Sequence, residues 1–307
     1  MERFVIETAV VEAGGSMGFA GSYLRLARPK QWTKNGFVLA GVVFAQKAFV
    51  VSSVASALLA FLAFCALSGA VYAANDVLDV EEDRKHPIKR RRPVASGEVS
   101  ARSAMVFAAV LVVAGLALGF AVDLGVGLAG VAYLAMQVVY TLVLKHTAIL
   151  DVMSISTGFV IRALAGVAAV GSPISPWLIV CTALLTLFLG FSKRRHEIAS
   201  LGDAATIHRK NLRDYSVPLL DEMMNIMISA TIIAYVLYTF FEYDNYYMML
   251  SIPFVVYGVF RYMLLVHRNG GGNPDTLLLR DRPLQIALLL WLVVVGTIIY
   301  VIPLWNG

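Results

Sequence analysis

Nine long, nearly uncharged stretches follow one another through the chain, near residues 36–50, 52–75, 102–121, 124–143, 148–170, 176–192, 218–240, 246–266 and 284–304. About 20 apolar residues cross the hydrocarbon layer of a bilayer as one helix. Hydrophobic residues make up 59% of the 307, well beyond a soluble domain. The expected fold is therefore all-α, a polytopic membrane protein with nine transmembrane helices. The first stretch is short before Lys47 and is expected to begin upstream, near Trp32.

The connecting loops set an orientation. With the N-terminus in the cytoplasm, all but two of the 25 Lys and Arg fall at the N-terminus, on the loops after stretches 2, 4, 6 and 8, or at the adjoining helix ends. The exceptions are Lys47 and Arg162. The opposite loops carry Asp123, Glu242 and Asp244. This asymmetry predicts N-terminus inside and C-terminus outside, in the cell (inner) membrane. The net charge of +5 is thereby a topology signal, and no nucleic-acid partner is implied. Residues 1–21 lack a basic-then-apolar signal pattern and read as a flexible cytoplasmic arm. Residues 22–307 then form one transmembrane catalytic domain. Cys65 and Cys181 lie in apolar stretches without metal-ligand spacing and read as buried small side chains.

Chemistry concentrates where the second stretch ends, in Asn75-Asp76-x-x-Asp79-x-x-x-Asp83. On a helix the three aspartates share a face. Carboxylates that close repel one another unless a cation intervenes. Hard oxygen ligands suit Mg²⁺, which commonly bridges protein carboxylates and substrate phosphates. The adjoining Arg84, Lys85, Lys89, Arg90, Arg91 and Arg92 add a basic rim, so metal and cations together would make a phosphate site. Asn75, Asp76, Asp79 and Asp83 are the candidate metal ligands. A solvated acidic helix end is the plainer alternative.

Other inner residues extend the site. Arg28-Pro29-Lys30-Gln31-Trp32-Thr33-Lys34-Asn35 reads as an interfacial helix start anchored by Trp32. Arg28 and Lys30 suit juxtamembrane anchoring, whereas Gln31, Lys34 and Asn35 are candidate substrate contacts. Tyr140, Lys145 and His146 lead to Asp151, a second acidic pole. Arg162 follows on the same face, ~16 Å deeper, where a charge needs a partner or a wet cavity. That partner is either a substrate anion or a carboxylate of a neighbouring helix, and a purely structural role is equally open. Lys193 and Arg194, at the end of the sixth stretch, are the better phosphate candidates in a loop whose other cations serve topology.

These motifs, in this order and topology, resemble the UbiA-type intramembrane prenyltransferase superfamily over nearly the whole chain. The resemblance implies a helical bundle around a central cavity, Mg²⁺ and pyrophosphate at its cytoplasmic mouth, and a lipid chain approaching from the bilayer. The chain departs from the usual pattern in its second acidic motif, where Asp151 stands nearly alone. That departure, the Arg-Pro-Lys-Gln-Trp-x-Lys-Asn run and Gly158-Phe159-Val160-Ile161-Arg162-Ala163 are similar to one branch, the decaprenyl-phosphate phosphoribosyltransferases. The resemblance implies transfer of 5-phosphoribose from phosphoribosyl pyrophosphate to a polyprenyl phosphate lipid, releasing pyrophosphate, for cell-wall arabinan precursors. Asp76, Asp79, Asp83 and Asp151 would then carry catalysis. Lys34, Lys145, Lys193 and Arg194 would bind phosphates, and Tyr140 the ribose rim. Prenyl transfer from a prenyl diphosphate to an aromatic or quinone precursor is the alternative. A transporter should show paired repeats and broken mid-membrane helices, and neither is evident in the sequence. The sequence sets no oligomeric state and allows a homo-oligomer.

Overall fold

The structure is a computed structural model and describes residues 19–201, 210–243, 246–268, 277 and 280–302. Its helices are α1 (Phe19–Ala27), α2 (Phe37–Phe44), α3 (Val51–Leu78), α4 (Val80–Lys85), α5 (Ala101–Val122), α6 (Leu124–Leu142), α7 (Leu150–Ala169), α8 (Pro176–Leu201), α9 (Val217–Phe241), α10 (Ile252–Arg268) and α11 (Arg282–Gly296). No strand occurs among the described residues. Most of the arm expected over residues 1–21 lies outside them; its last residues, from Phe19, begin α1.

Among the described residues, eight helices are long and apolar enough to cross a membrane: α3, α5, α6, α7, α8, α9, α10 with the turn before it, and α11 with the turn after it. Large exposed side chains such as Leu62, Val113, Leu128, Ile226, Phe260 and Leu289 give the bundle an apolar outside. The chain is a multi-pass membrane protein.

The first expected span is built differently from the rest. Pro29 opens a 3-10 helix, Pro29–Gly36, and only Phe37–Phe44 is α-helical. Proline lacks an N–H and disfavours helical backbone in the residue before it. Arg28, the residue before it, stands outside the helix in a left-handed conformation, with φ 51°. The two pieces together rise roughly 28 Å, close to the thickness of the hydrocarbon layer. Arg28 lies against Asp76 near the end of α3, while Lys47 donates to the Val170 carbonyl at 2.6 Å, just past the end of α7. The segment therefore runs the depth of the bundle antiparallel to α3, without being a membrane-length α-helix.

Close packing relies on small residues, as expected where lipid offers no hydrophobic drive between helices. Gly41 of α2 faces Gly166 of α7 so closely that a Cβ on either would overlap the other helix's backbone. One core cluster joins Val38, Phe64, Leu67, Val126, Tyr133 and Ala165 across α2, α3, α6 and α7. A second joins Val152, Phe188, Leu220, Met224 and Tyr262 across α7 to α10. Side-chain caps fix several helix starts. Ser100 accepts from Ser103 N (3.1 Å), Asp123 from Gly125 N (2.7 Å) and Asp281 from Leu284 N (2.9 Å).

Candidate active site at one mouth of the bundle

The acidic motif sits where α3 gives way to α4. Asp79 interrupts the helix between Leu78 and Val80, although Asp79 N still bonds Asn75 O and Asp83 N bonds Asp79 O. The interruption separates the three carboxylates into two environments. Asp76 and Asp83 are buried, with side chains 1% and 3% exposed, and they share one guanidinium. Arg92 Nη1 lies 3.3 Å from Asp76 Oδ1 and 2.5 Å from Asp83 Oδ2. Arg28 donates to the same Asp76 oxygen and stacks over the Tyr72 ring, 5.1 Å from its centroid. Asp79, 38% exposed, faces instead Lys145 Nζ, 3.7 Å away.

Neighbouring elements close on this cluster. Thr141 Oγ1 of α6 donates to Asn75 Oδ1 at 3.4 Å. Lys145 reaches Asp79 from the short turn Leu144–His146 between α6 and α7. The end of α3, the α6–α7 turn and the start of the first crossing thus meet at one mouth. Arg28 was read from the sequence as a juxtamembrane anchor, and Arg92 only as one cation of the basic rim. Both immediately precede a proline, Pro29 and Pro93, and proline keeps the preceding residue out of regular helix. Those two Arg-Pro pairs were the available signal. Arg84 and Lys85, which were among the candidates, lie exposed, and Arg84 pairs with Glu81 at 2.9 Å. Gln31, Lys34, Tyr140 and Lys193 are half-buried, and Tyr140 lies within electrostatic range of Arg194.

Asp151 occupies a separate, closed environment. It is fully buried, with Oδ2 accepting from Arg194 Nε at 2.7 Å and Oδ1 from the Tyr215 hydroxyl at 3.2 Å. Arg194, also buried, spends a second nitrogen on Glu197 Oε2 at 2.6 Å. Tyr215 OH additionally accepts from Ile149 N at 2.5 Å. Burial pushes the Tyr215 phenol up to about 12, so it stays a donor at any ordinary pH. The group ties α7, α8 and the segment leading into α9 together.

Arg162 and Asn35 are brought together deeper in the bundle. Arg162 Nε donates to Asn35 Oδ1 (2.8 Å), Nη1 to Gly158 O (2.9 Å) and Nη2 to the Tyr133 hydroxyl (3.1 Å). The Asn35 amide nitrogen turns to Ser68 Oγ (3.1 Å) and Cys65 Sγ (3.3 Å) of α3.

The mouth can hold a divalent cation only in a particular way. Among the described residues no three acidic, His or Cys side chains converge as a preformed cage. Asp76 and Asp83 instead offer two buried carboxylates already gathered around one positive charge, with the Asn75 amide and Asp79 alongside. That donor set is all hard oxygen. It fits Mg²⁺, which typically takes one or two carboxylates and completes its shell with water and substrate phosphate.

Comparison with known proteins speaks to the chain as a whole. The model of the UbiA prenyltransferase family matches residues 36–289. A decaprenyl-phosphate phosphoribosyltransferase of Mycolicibacterium smegmatis is 32% identical, over 96% of this chain and 97% of its own. One of Mycobacterium tuberculosis is 36% identical, over 89% of this chain and 92% of its own. Among solved structures, a UbiA homolog from Archaeoglobus fulgidus bound to DMAPP and Mg²⁺ superposes with a TM-score of 0.71, covering 91% of this chain and 98% of that one. The same homolog bound to Cd²⁺ gives 0.67. At 18% identity these structures speak for the fold alone.

Proposed function

The chain belongs to the UbiA prenyltransferase family, and from that premise we propose that it transfers 5-phosphoribose from phosphoribosyl pyrophosphate to decaprenyl or another polyprenyl phosphate. The observation that carries this reading is the reach of its sequence likeness. It runs nearly end to end with phosphoribosyltransferases, whereas the likeness to a dimethylallyl-diphosphate complex is one of fold.

The chemistry asks for cations around a dense anion. Donor and acceptor together bring a pyrophosphate, a 5-phosphate and a lipid phosphate. Asp76 and Asp83, with Asn75 and Asp79, would hold Mg²⁺ at the mouth. That ion, when bound, neutralises charge developing on the departing pyrophosphate. Arg28 and Arg92, already among the carboxylates, place positive charge beside the same group. Lys34, Lys145 and Lys193 are the remaining phosphate candidates, and Tyr140 the ribose contact. Arg194 is committed to Asp151 and Glu197, so its contribution is to tie α8 to α7.

The lipid phosphate oxygen attacks ribosyl C1 as the C1–O bond to pyrophosphate breaks, with inversion at the anomeric carbon. A phosphate monoester is nucleophilic as it stands, so the protein need supply no general base. Positioning and electrostatic stabilisation supply the acceleration. The mouth faces the cytoplasm of a cell whose inner membrane holds the bundle, and the C-terminus lies outside. Ribosyl-labelled phosphoribosyl pyrophosphate, Mg²⁺ and a polyprenyl phosphate, given to purified protein, should yield labelled lipid and free pyrophosphate. Prenyl transfer from a prenyl diphosphate to an aromatic acceptor, with no label reaching the lipid, would replace this reading by the alternative one.

A further inference from the structure

Arg162 is a buried cation with no carboxylate within ion-pair distance among the described residues. Its side chain is 95% withdrawn from solvent, since the residue is 5% exposed. Its hydrogen-bond partners are all neutral: an amide oxygen, a backbone carbonyl and a phenol. Two ring faces flank it, Tyr133 at 4.7 Å and Phe159 at 5.2 Å from the guanidinium carbon. These soften the cost of the charge without neutralising it. Guanidinium stays protonated in proteins and carries five N–H groups, of which three are spent here. The other two, one on each terminal nitrogen, form the fork that matches two oxygens of a phosphate. Arg28, Arg92, Lys145 and Arg194, by contrast, each have a carboxylate partner. A bare charge inside a membrane bundle marks a place where an anion belongs.

Position narrows the anion. The guanidinium folds back to Gly158, seven residues along α7 from Asp151, or ~10 Å into the bundle. Ser68, which holds Asn35, is eight residues along α3 from Asp76, ~12 Å by the same measure. The seat therefore lies beneath the acidic mouth, on the membrane side of it. Its walls come from the first crossing, α3, α6 and α7. Gly158 leaves room for the fold-back, because a Cβ there would press on Met136 and approach Arg162 Nη1.

We infer that Arg162, with Asn35 and Tyr133, forms a seat for a phosphate monoester inside the bundle, separate from the metal-binding mouth. This rests on the donor and acceptor named above, each of which carries one such group: the lipid phosphate and the ribose 5-phosphate. Two seats at different depths keep two anions apart until they react.

Two variants test it on the full-length protein in detergent. Arg162→Lys keeps the charge and removes the fork. Asn35→Asp puts a carboxylate where the amide oxygen now meets Nε, giving the guanidinium an internal counter-anion. Calorimetric titration with a short-chain polyprenyl phosphate, the matching polyprenol and ribose 5-phosphate reads the seat directly. Both variants should lose about tenfold or more in affinity for one phosphorylated ligand, with the polyprenol unaffected and Asn35→Asp at least as heat-stable as the parent. Loss confined to polyprenyl phosphate assigns the seat to the lipid; loss confined to ribose 5-phosphate assigns it to the donor. Unchanged affinity for both would overturn the inference and make Arg162 a structural bolt. So would an Asn35→Asp protein that no longer folds, since an uncompensated cation should welcome the carboxylate. Parent protein that loses phosphate binding with these variants, yet moves no ribosyl label, would leave the seat standing and remove the phosphoribosyl reading.

Discussion

Arg194 and Asp151 form an ion pair that is buried on both sides, with Nε 2.7 Å from Oδ2, and Tyr215 accounts for the other carboxylate oxygen. Removing one partner from such a pair strands the other charge without solvent. Arg194→Ala should therefore destabilise the folded protein by about 3–5 kcal/mol. Arg194→Met combined with Asp151→Leu should cost clearly less than Arg194→Ala alone. Thermal unfolding of the single and double variants measures the difference.

Tyr215→Phe tests the same group from a different side. Burial raises the phenol's pKa to about 12, so the neutral form is favoured in the fold. Its contribution is fully present below the unfolded value near 10 and fades only as pH rises through about 12. The stability lost in Tyr215→Phe should be constant from pH 6 to 9. A loss that varies across that window would show the phenol titrating there.

Arg92 bridges Asp76 and Asp83, whereas Arg84 pairs with Glu81 in solvent. Arg92→Gln should lower turnover by about ten- to a hundredfold, the equivalent of one lost charge-assisted contact of about 1.5–3 kcal/mol. Arg84→Gln should stay within about twofold, as exposed pairs are worth little. Initial rates of the two variants side by side decide this.

Asp76→Asn and Asp83→Asn should each reduce turnover by orders of magnitude while leaving a monodisperse, heat-stable protein. Chelation of divalent cations should silence the parent enzyme, and Mg²⁺ should restore it. Undiminished activity in chelator would remove Mg²⁺ from the reaction.

A reporter fused after Gly307 should signal from the periplasmic side, and one inserted near Gly202 from the cytoplasmic side. The reverse pair would invert the bundle and carry its acidic mouth to the opposite face of the membrane.

Most of the helical architecture was legible in the sequence because hydropathy acts over whole segments. The first crossing was legible only in part. Its polar run Pro29–Gly36 has too few apolar residues to register as a span, and the 3-10 form that carries it inward is set by proline and by packing on α3 and α7. The acidic motif was legible because its carboxylates lie close in the chain. The partners of its carboxylates were not, since Arg28 and Asp76 stand 48 residues apart. The partner of Arg194 was hidden for a related reason. Nothing local in Ser192-Lys193-Arg194-Arg195 says that a carboxylate 43 residues earlier claims one cation and leaves its neighbours.

The contact between Gly41 and Gly166 sets a schedule for assembly. The first segment meets two surfaces of different age in the chain: α3, which follows it directly and carries Asp76, Ser68 and Cys65, and α7, more than a hundred residues later, which carries Gly166 and Arg162. Its Arg28–Asp76 contact needs only α3, whereas the Asn35–Arg162 contact needs α7 as well. A bundle stalled before α7 docks would hold Arg28 on the acidic motif but leave Asn35 without its guanidinium.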